Sequence, residues 1–332
     1  MTEHSTMAGP FSTPVLLLVF NRPETTARVF DAIRHAKPSR LYIAADGPRE
    51  GRQGENQRVA LVRKIVTAVD WPCEVQTLFR EKNLGCKIAI SSAITWFFEK
   101  EEQGIILEDD CLPHPDFFGF CETLLHKYAD DERVFMISGN NFQHGQKRGD
   151  ASYYFSRYSH IWGWASWRRA WSNYDVGIQF WPEWQASDEW KLKFQSSIER
   201  RYFAKHFNQV HNNLIDTWDY QWLATLLYRD GLSITPNSNL VSNIGFGEGA
   251  THTTSANSAE ANIAVEAIGD ISHPTEVTPN LAADSFVFDN TMGGRAMRFP
   301  RNIIYAPKDL LGLLYRKLQR LLIGTRSDHR VS

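Results

Sequence analysis

The chain is expected to be an α/β protein with a mostly parallel central sheet flanked by helices. Three observations carry this expectation. From residue 14 to about 138, short apolar runs alternate with helix-length segments, and strands separated by helices build a parallel sheet. The runs 15–20 and 105–107 are continuously apolar rather than alternating, as strands covered on both faces must be. The second of these runs, Gly104-Ile105-Ile106-Leu107, stops abruptly at Glu108-Asp109-Asp110. In open α/β sheets ligands bind at the carboxyl ends of such strands.

The elements follow in order. Residues 1–13 are small, polar and Pro-containing, and are read as a disordered N-terminus. Strand 15–20 passes through Asn21-Arg22-Pro23 into helix 23–35, with proline at its first turn. Strand 41–45 ends in Asp46-Gly47-Pro48 and is followed by helix 56–69. Strand 74–79 leads through Glu81-Lys82-Asn83-Leu84-Gly85-Cys86-Lys87 into helix 86–100. After strand 105–107 and the acids, the turn 111–118 contains two prolines and an aromatic pair, and starts helix 115–128. Strand 134–138 ends in Gly139-Asn140-Asn141. Then the pattern changes: an aromatic-rich stretch over 153–174, helices around 188–213 and 218–229, and a strand 233–236 running into a loop over 239–254.

This places one domain over 14–254. Residues 255–285, rich in Ser, Ala, Asn and Thr, read as a flexible loop or linker, and 286–332 as a C-terminal extension. Within the extension, 308–323 has the pattern of a basic amphipathic helix, with Leu310, Leu314, Leu318 and Leu321 on one face and Arg316, Lys317 and Arg320 at its border or opposite. Such a helix either lies in a membrane interface or packs on the domain.

Composition narrows the function classes. A net charge of −2 and the lack of a basic block interleaved with aromatics argue against nucleic acid as a partner. The four cysteines form no C-x-x-C pair and no signal peptide is evident, so reduced thiols, a cytoplasmic location and no structural zinc are expected. No apolar stretch reaches the ~20 residues needed to span a bilayer. Most of the eleven tryptophans fall in 160–222, where large aromatics serve either as core or as stacking faces for sugars and bases.

Three adjacent carboxylates raise one another's pKa unless a cation neutralises them. Oxygen ligands of this kind suit Mg²⁺ or Mn²⁺ bridging to phosphates. The competing reading is a solvated acidic loop. Arg22 is placed at a helix start and at the sheet's carboxyl edge, where a guanidinium meets a phosphate or a base carbonyl. Asp46 is either a turn former or an acceptor for a base N–H or a ribose hydroxyl. Gly85 lets the third loop approach a phosphate, with Lys87 supplying charge beside it. Three loops and the acids thus converge on one crevice.

In order and spacing these motifs resemble the GT-A-fold nucleotide-sugar glycosyltransferases, and in particular the N-acetylglucosaminyltransferase I family. Glu108-Asp109-Asp110 followed by Pro115-Asp116-Phe117-Phe118 is similar to that family's metal-binding segment. Asn21-Arg22-Pro23, Asp46, Ile161-Trp162-Gly163-Trp164, Trp218-Asp219-Tyr220-Gln221-Trp222, and Gly245-Phe246-Gly247 with Thr251-His252 follow in the family's order. The resemblance implies that Asp110 binds Mn²⁺ or Mg²⁺, that Asp109 holds the ribose and Glu108 the donor sugar, and that Arg22, Asp46, Asn83 and Lys87 complete the donor site. It places the catalytic base at Asp219, with Asp216 second, and Trp162, Trp164, Trp222 and His252 on the acceptor side. The family can carry a further Asp where this chain has Tyr220. The competing role for Asp216 and Asp219 is N-capping of helix 219–229.

The implied activity is a metal-dependent, inverting transfer of a sugar from a nucleotide diphosphate, UDP favoured over GDP, to a glycan or lipid-linked saccharide. The enzyme would work in the cytoplasm, with membrane contact through 308–323. The alternatives are a carbohydrate-binding or scaffold protein of the same fold, and a sugar-phosphate nucleotidyltransferase, whose Gly-rich signature near the first strand is missing.

Overall fold

The computed structural model describes residues 11–246 and 261–298. The expected His252 contact and the 308–323 helix lie outside the described residues. In chain order the first half contains β1 (Val15–Val19), α1 (Pro23–Ala36), β2 (Arg40–Ala45), α2 (Glu55–Val66), β3 (Glu74–Phe79), α3 (Gly85–Phe98), β4 (Gln103–Glu108), β5 (Cys111–Pro113), α4 (Asp116–Lys127) and β6 (Val134–Ser138). The second half adds β7 (Tyr153–Ser156), β8 (Trp164–Trp167), α5 (Arg168–Trp171), α6 (Trp181–Ala186), α7 (Asp188–Lys193), α8 (Ser197–His211), α9 (Asp219–Tyr228), β9 (Leu232–Pro236), β10 (Val241–Asn243), α10 (Leu281–Asn290) and α11 (Gly294–Met297).

Eight strands form one sheet in the order β3-β2-β1-β4-β8-β6-β9-β7. The first four are mutually parallel, as the alternation of runs and helices predicts. β8 then enters antiparallel between β4 and β6, and β7 closes the far edge antiparallel to β9. The fold is the expected α/β class, a mostly parallel central sheet with helices on both faces.

Alternation along the strands decides what each face holds. Val15, Leu17 and Val19 of β1 and Ile105 and Leu107 of β4 enter a core layer shared with α1, α2 and α4. Leu16, Leu18 and Ile106 enter the opposite layer, with Ile94 and Phe97 of α3 and Trp222 and Leu226 of α9. Because side chains alternate with period two, Glu108 continues the Ile106 row and is presented on the α3 and α9 side. The paired register of Leu18 with Glu108 puts the acids level with the end of β1.

Several expectations are corrected. The helix expected over 188–213 is broken at Phe194, which is extended, and restarts at α8, where the Ser196 hydroxyl accepts from Glu199 N. Strands β7 and β8 arise inside the aromatic-rich stretch, where Tyr, Phe and Trp suit a pleated surface packed on both sides. Within the expected 239–254 loop, β10 pairs antiparallel with β5, directly behind the acids. Residues 261–280 run along the domain, with Ile268 N donating to Asp116 Oδ2 and Asn280 N to Phe155 O, and α10 begins at Leu281. A third apolar cluster joins α6, α7, α8 and α10 to the outer face of α9 through Leu223 and Leu227. Helix α9 is therefore held from both sides, and its first turn is fixed at the crevice.

Candidate active site

A crevice of about 680 Å³ opens beyond the carboxyl ends of β1, β2 and β4 and is closed opposite by the start of α9. That is the size of a small-molecule site. Six carboxylates line it, those of Asp46, Glu108, Asp109, Asp110, Asp216 and Asp219, against the guanidinium groups of Arg22, Arg49 and Arg80.

The three adjacent acids are held differently. Asp109 Oδ2 accepts from Phe20 N at 3.0 Å, and Asp110 Oδ2 accepts from Arg22 Nη1 at 2.6 Å. Arg22 Nη1 also lies 3.8 Å from Asp109 Oδ1. Among the described residues the Glu108 carboxyl makes no hydrogen bond. Burial, together with the charges of Asp110, Asp109 and Asp219, holds Glu108 well above the usual carboxylate range. Burial and Asp110 raise Asp109 as well. Burial pulls Arg22 down, but Asp109 and Asp110 more than offset it and leave the guanidinium firmly charged. One guanidinium does not neutralise three acids, and the solvated-loop reading does not hold: Asp109 and Asp110 are buried.

The loop after β10 covers Asp110. Ile244 N donates to Asp110 O at 2.8 Å, and a Cβ added to Gly245 would stand 2.3 Å from Asp110 Oδ2. Only glycine lets the backbone come this close.

Asp46 braces the neighbouring loop. Its carboxylate accepts from Gly47 N at 2.9 Å, Leu84 N at 3.0 Å and Asn83 Nδ2 at 2.9 Å, tying the β2 turn to the start of α3. Burial still raises its pKa against the backbone donors of Leu84 and Gly47. Its acceptor capacity is largely used, which fits the turn-former reading better than a free contact for a base. Lys87 is not among the crevice-lining residues, and its ammonium lies 2.5 Å from Asn213 Oδ1.

Asp216 does not cap α9. Its two oxygens accept from Cys86 N at 3.0 Å and Lys87 N at 2.9 Å, satisfying the free N–H groups at the start of α3. Each Asp216 oxygen thus already accepts one hydrogen bond at the start of α3. Asp219 is different. It is the first residue of α9, whose N-cap is Trp218 without a side-chain cap. Asp219 Oδ1 accepts from the Thr217 hydroxyl, and Oδ2 has no partner among the described residues. The capping alternative therefore fails for Asp219.

Of the expected acceptor-side tryptophans, only Trp162 lines the crevice, packed edge-on against Phe246 at 5.7 Å. Trp164 and Trp222 are fully buried. Trp164 stacks on Trp218, and Trp222 Nε1 points at Met136 Sδ. Both belong to the core between the sheet and α9, because the Ile106 face of β4 continues across the sheet into Trp164.

The crevice also contains residues the motifs did not flag. Arg80 follows β3 as Arg22 follows β1, a strand-end position that could have drawn notice, and its Nη2 donates to Ser92 Oγ at 2.7 Å. His206 and Gln209 of α8 line the opposite wall, beside Tyr220 of the α9 motif. Nothing local marks His206 or Gln209, which arrive through the packing of α8 on α9.

The excess of buried acid is the observation that bears on a metal, and the donor set fits a divalent cation. Among the described residues no three His, Cys, Asp or Glu side chains are grouped to hold an ion by themselves. An ion here would rest on Asp110 with one neighbouring acid and take its other ligands from phosphate and water, as Mg²⁺ sites commonly do.

A nucleotide-sized α/β crevice with a carboxylate cluster at a strand end defines the class of site. No protein-family model and no curated protein matches the chain. Among solved structures, HddC from Yersinia pseudotuberculosis is 9% identical, covering 52% of this chain and 86% of that chain, with a TM-score of 0.32. A UDP-glucose pyrophosphorylase complexed with UDP-glucose is 11% identical, over 45% of this chain and 63% of that chain, TM-score 0.26. S. aureus TarS 1-349 is 8% identical, over 50% and 49%, TM-score 0.34. These likenesses are distant, and the reading of the site rests on its own geometry. Among the described residues no helix is long and apolar enough to cross a membrane.

Proposed function

We propose that the protein is a glycosyltransferase of the inverting, metal-dependent kind, taking a sugar from a nucleotide diphosphate, UDP by preference, to a hydroxyl of a glycan or lipid-linked saccharide. The observation that carries the reading is the pairing across one crevice of Glu108-Asp109-Asp110 with Asp219, a carboxylate whose Oδ2 is left open. Asp219 takes the proton of the acceptor hydroxyl, the oxygen attacks the anomeric carbon, and the bond to the diphosphate breaks with its electron pair leaving on phosphate. Arg22 holds Asp109 and Asp110 in place, and Glu108 accepts from donor-sugar hydroxyls. Asn83 and Asp46 shape the nucleotide loop, and Asp216 fixes the start of α3. Bound Mn²⁺ or Mg²⁺, held by Asp110, would neutralise charge on the diphosphate.

The motif order over 14–254 supports a relative of the N-acetylglucosaminyltransferase I family. The amphipathic pattern of 308–323 supports contact with the inner face of a membrane from the cytoplasm, His252 is assigned to the acceptor side, and Lys87 to the rim.

Calorimetric titration with UDP and GDP, with and without Mn²⁺, on wild type and Asp110→Asn tests the reading. UDP binding that needs both the ion and Asp110 supports it. No nucleotide binding under any condition overturns it, and release of pyrophosphate from a nucleoside triphosphate and a sugar phosphate would move the protein to the nucleotidyltransferases.

A further inference from the structure

Resting on that reading, we infer that Tyr220 is the platform for the acceptor sugar ring and that His206 locks it in place and accepts a hydrogen bond from the acceptor. Tyr202, His206 and Tyr220 form one aromatic cluster. The His206 and Tyr220 rings lie nearly parallel at 4.8 Å and 15°, and the Tyr202 ring packs against His206 at 4.3 Å, tilted by 47°. The imidazole is therefore held by two tyrosines, and one face of Tyr220 is left without an aromatic neighbour among the described residues.

His206 Nδ1 lies 2.9 Å from Tyr202 O. A carbonyl only accepts, so Nδ1 carries the hydrogen and, in the neutral ring, Nε2 presents a lone pair. Burial lowers the His206 pKa, which favours the neutral ring. Nε2 has no partner among the described residues. His206 and Tyr220 both line the crevice, and Tyr220 follows Asp219 in the first turn of α9. The cluster is thus a rigid amphipathic wall beside the open carboxylate: an aromatic face for the C–H side of a pyranose and a lone pair for one of its hydroxyls. Towards Asp46, Asn83 and Arg80 the lining aromatic is Phe20, whose ring has the Arg49 guanidinium over it at 5.4 Å.

The test uses the full chain saturated with UDP and Mn²⁺ and a panel of α- and β-methyl glycosides of glucose, galactose and their N-acetylamino forms, with binding read by saturation-transfer NMR. Tyr220→Leu, which keeps an apolar side chain and removes the aromatic face, is expected to weaken glycoside binding about tenfold while UDP affinity stays within about twofold. Tyr220→Phe should bind as wild type, and His206→Phe should lose selectivity among the glycosides while retaining UDP. Unchanged glycoside binding in Tyr220→Leu, equal loss in Tyr220→Phe, parallel loss of UDP, or a UDP-loaded wild type that binds no glycoside would each overturn the subsite. Failure of wild type to bind UDP would instead remove the reading on which it rests.

Discussion

The carboxylate of Asp216 closes the N-terminus of α3 across 130 residues of chain, and Gly85 is the residue that makes room for it. Gly85 sits at φ +78°, and a Cβ there would stand 2.7 Å from Asp216 Oδ2. The positive end of the helix dipole and two unpaired N–H groups are satisfied together. The loop 213–218 is thereby pinned to the start of α3, immediately before Asp219.

Asp216→Ala is expected to cost about 1 kcal/mol, the usual loss of a helix-terminal acceptor. Gly85→Ala should cost about 1–3 kcal/mol, since it is strained in φ and crowds the carboxylate. The double variant should be less destabilised than the two losses added, because removing the carboxylate removes the crowding. Urea unfolding of the four proteins measures this, and strict additivity would mean that the two residues do not act on each other.

Asp219→Asn should bind UDP as wild type does and transfer sugar about 10²–10⁴ times more slowly, the range expected for loss of a general base. Steady-state kinetics against calorimetry separates the two effects. A variant that transfers at the wild-type rate would place the base elsewhere.

Gly245→Ala puts a methyl against Asp110 Oδ2, where Arg22 Nη1 already donates. The β10 loop or the ion pair must give way. Nucleotide affinity is expected to fall about tenfold or more with a loss of stability of only about 1–3 kcal/mol. Equal UDP affinity in the two proteins would show that the loop does not shape the site.

His160 sets an acid limit. It is buried against Phe142, its Nε2 has no partner among the described residues, and burial lowers its pKa to about 4. The unfolded chain binds this proton near pH 6.5 and the folded chain only near 4, so between these values the unfolded state holds more protons and stability falls as pH falls. The loss should approach roughly 3 kcal/mol by the lower limit. His160→Phe should remove that part of the acid sensitivity, so the difference in Tm between variant and wild type should grow on acidification from pH 7 to 4. A constant difference would show that His160 is not the group responsible.

Much of the strand-end side of the crevice was legible because its determinants are local. The continuously apolar β1 and β4 predict buried parallel strands, and Glu108-Asp109-Asp110 and Arg22 lie within three residues of the ends of those strands, so strand position alone carries them to one edge. Arg80 could have been found by the same reasoning. Trp164 and Trp222 could not be told from Trp162 by residue type, since a large aromatic suits the core and a binding face equally well. Their burial is decided by which face of β8 and α9 meets the sheet.

The sequence by itself determined the α/β class, the order of the first strands and the carboxylate cluster at the end of the fourth, because hydrophobic periodicity and turn chemistry act within a few residues. Only the tertiary structure decided that Asp216 caps α3 while Asp219 stays open, that β10 brings Gly245 onto Asp110, and that His206 meets Tyr220. Each of these contacts joins segments whose meeting depends on how helices and strands pack against a shared core, and a pairing of that kind has no local signature in the chain.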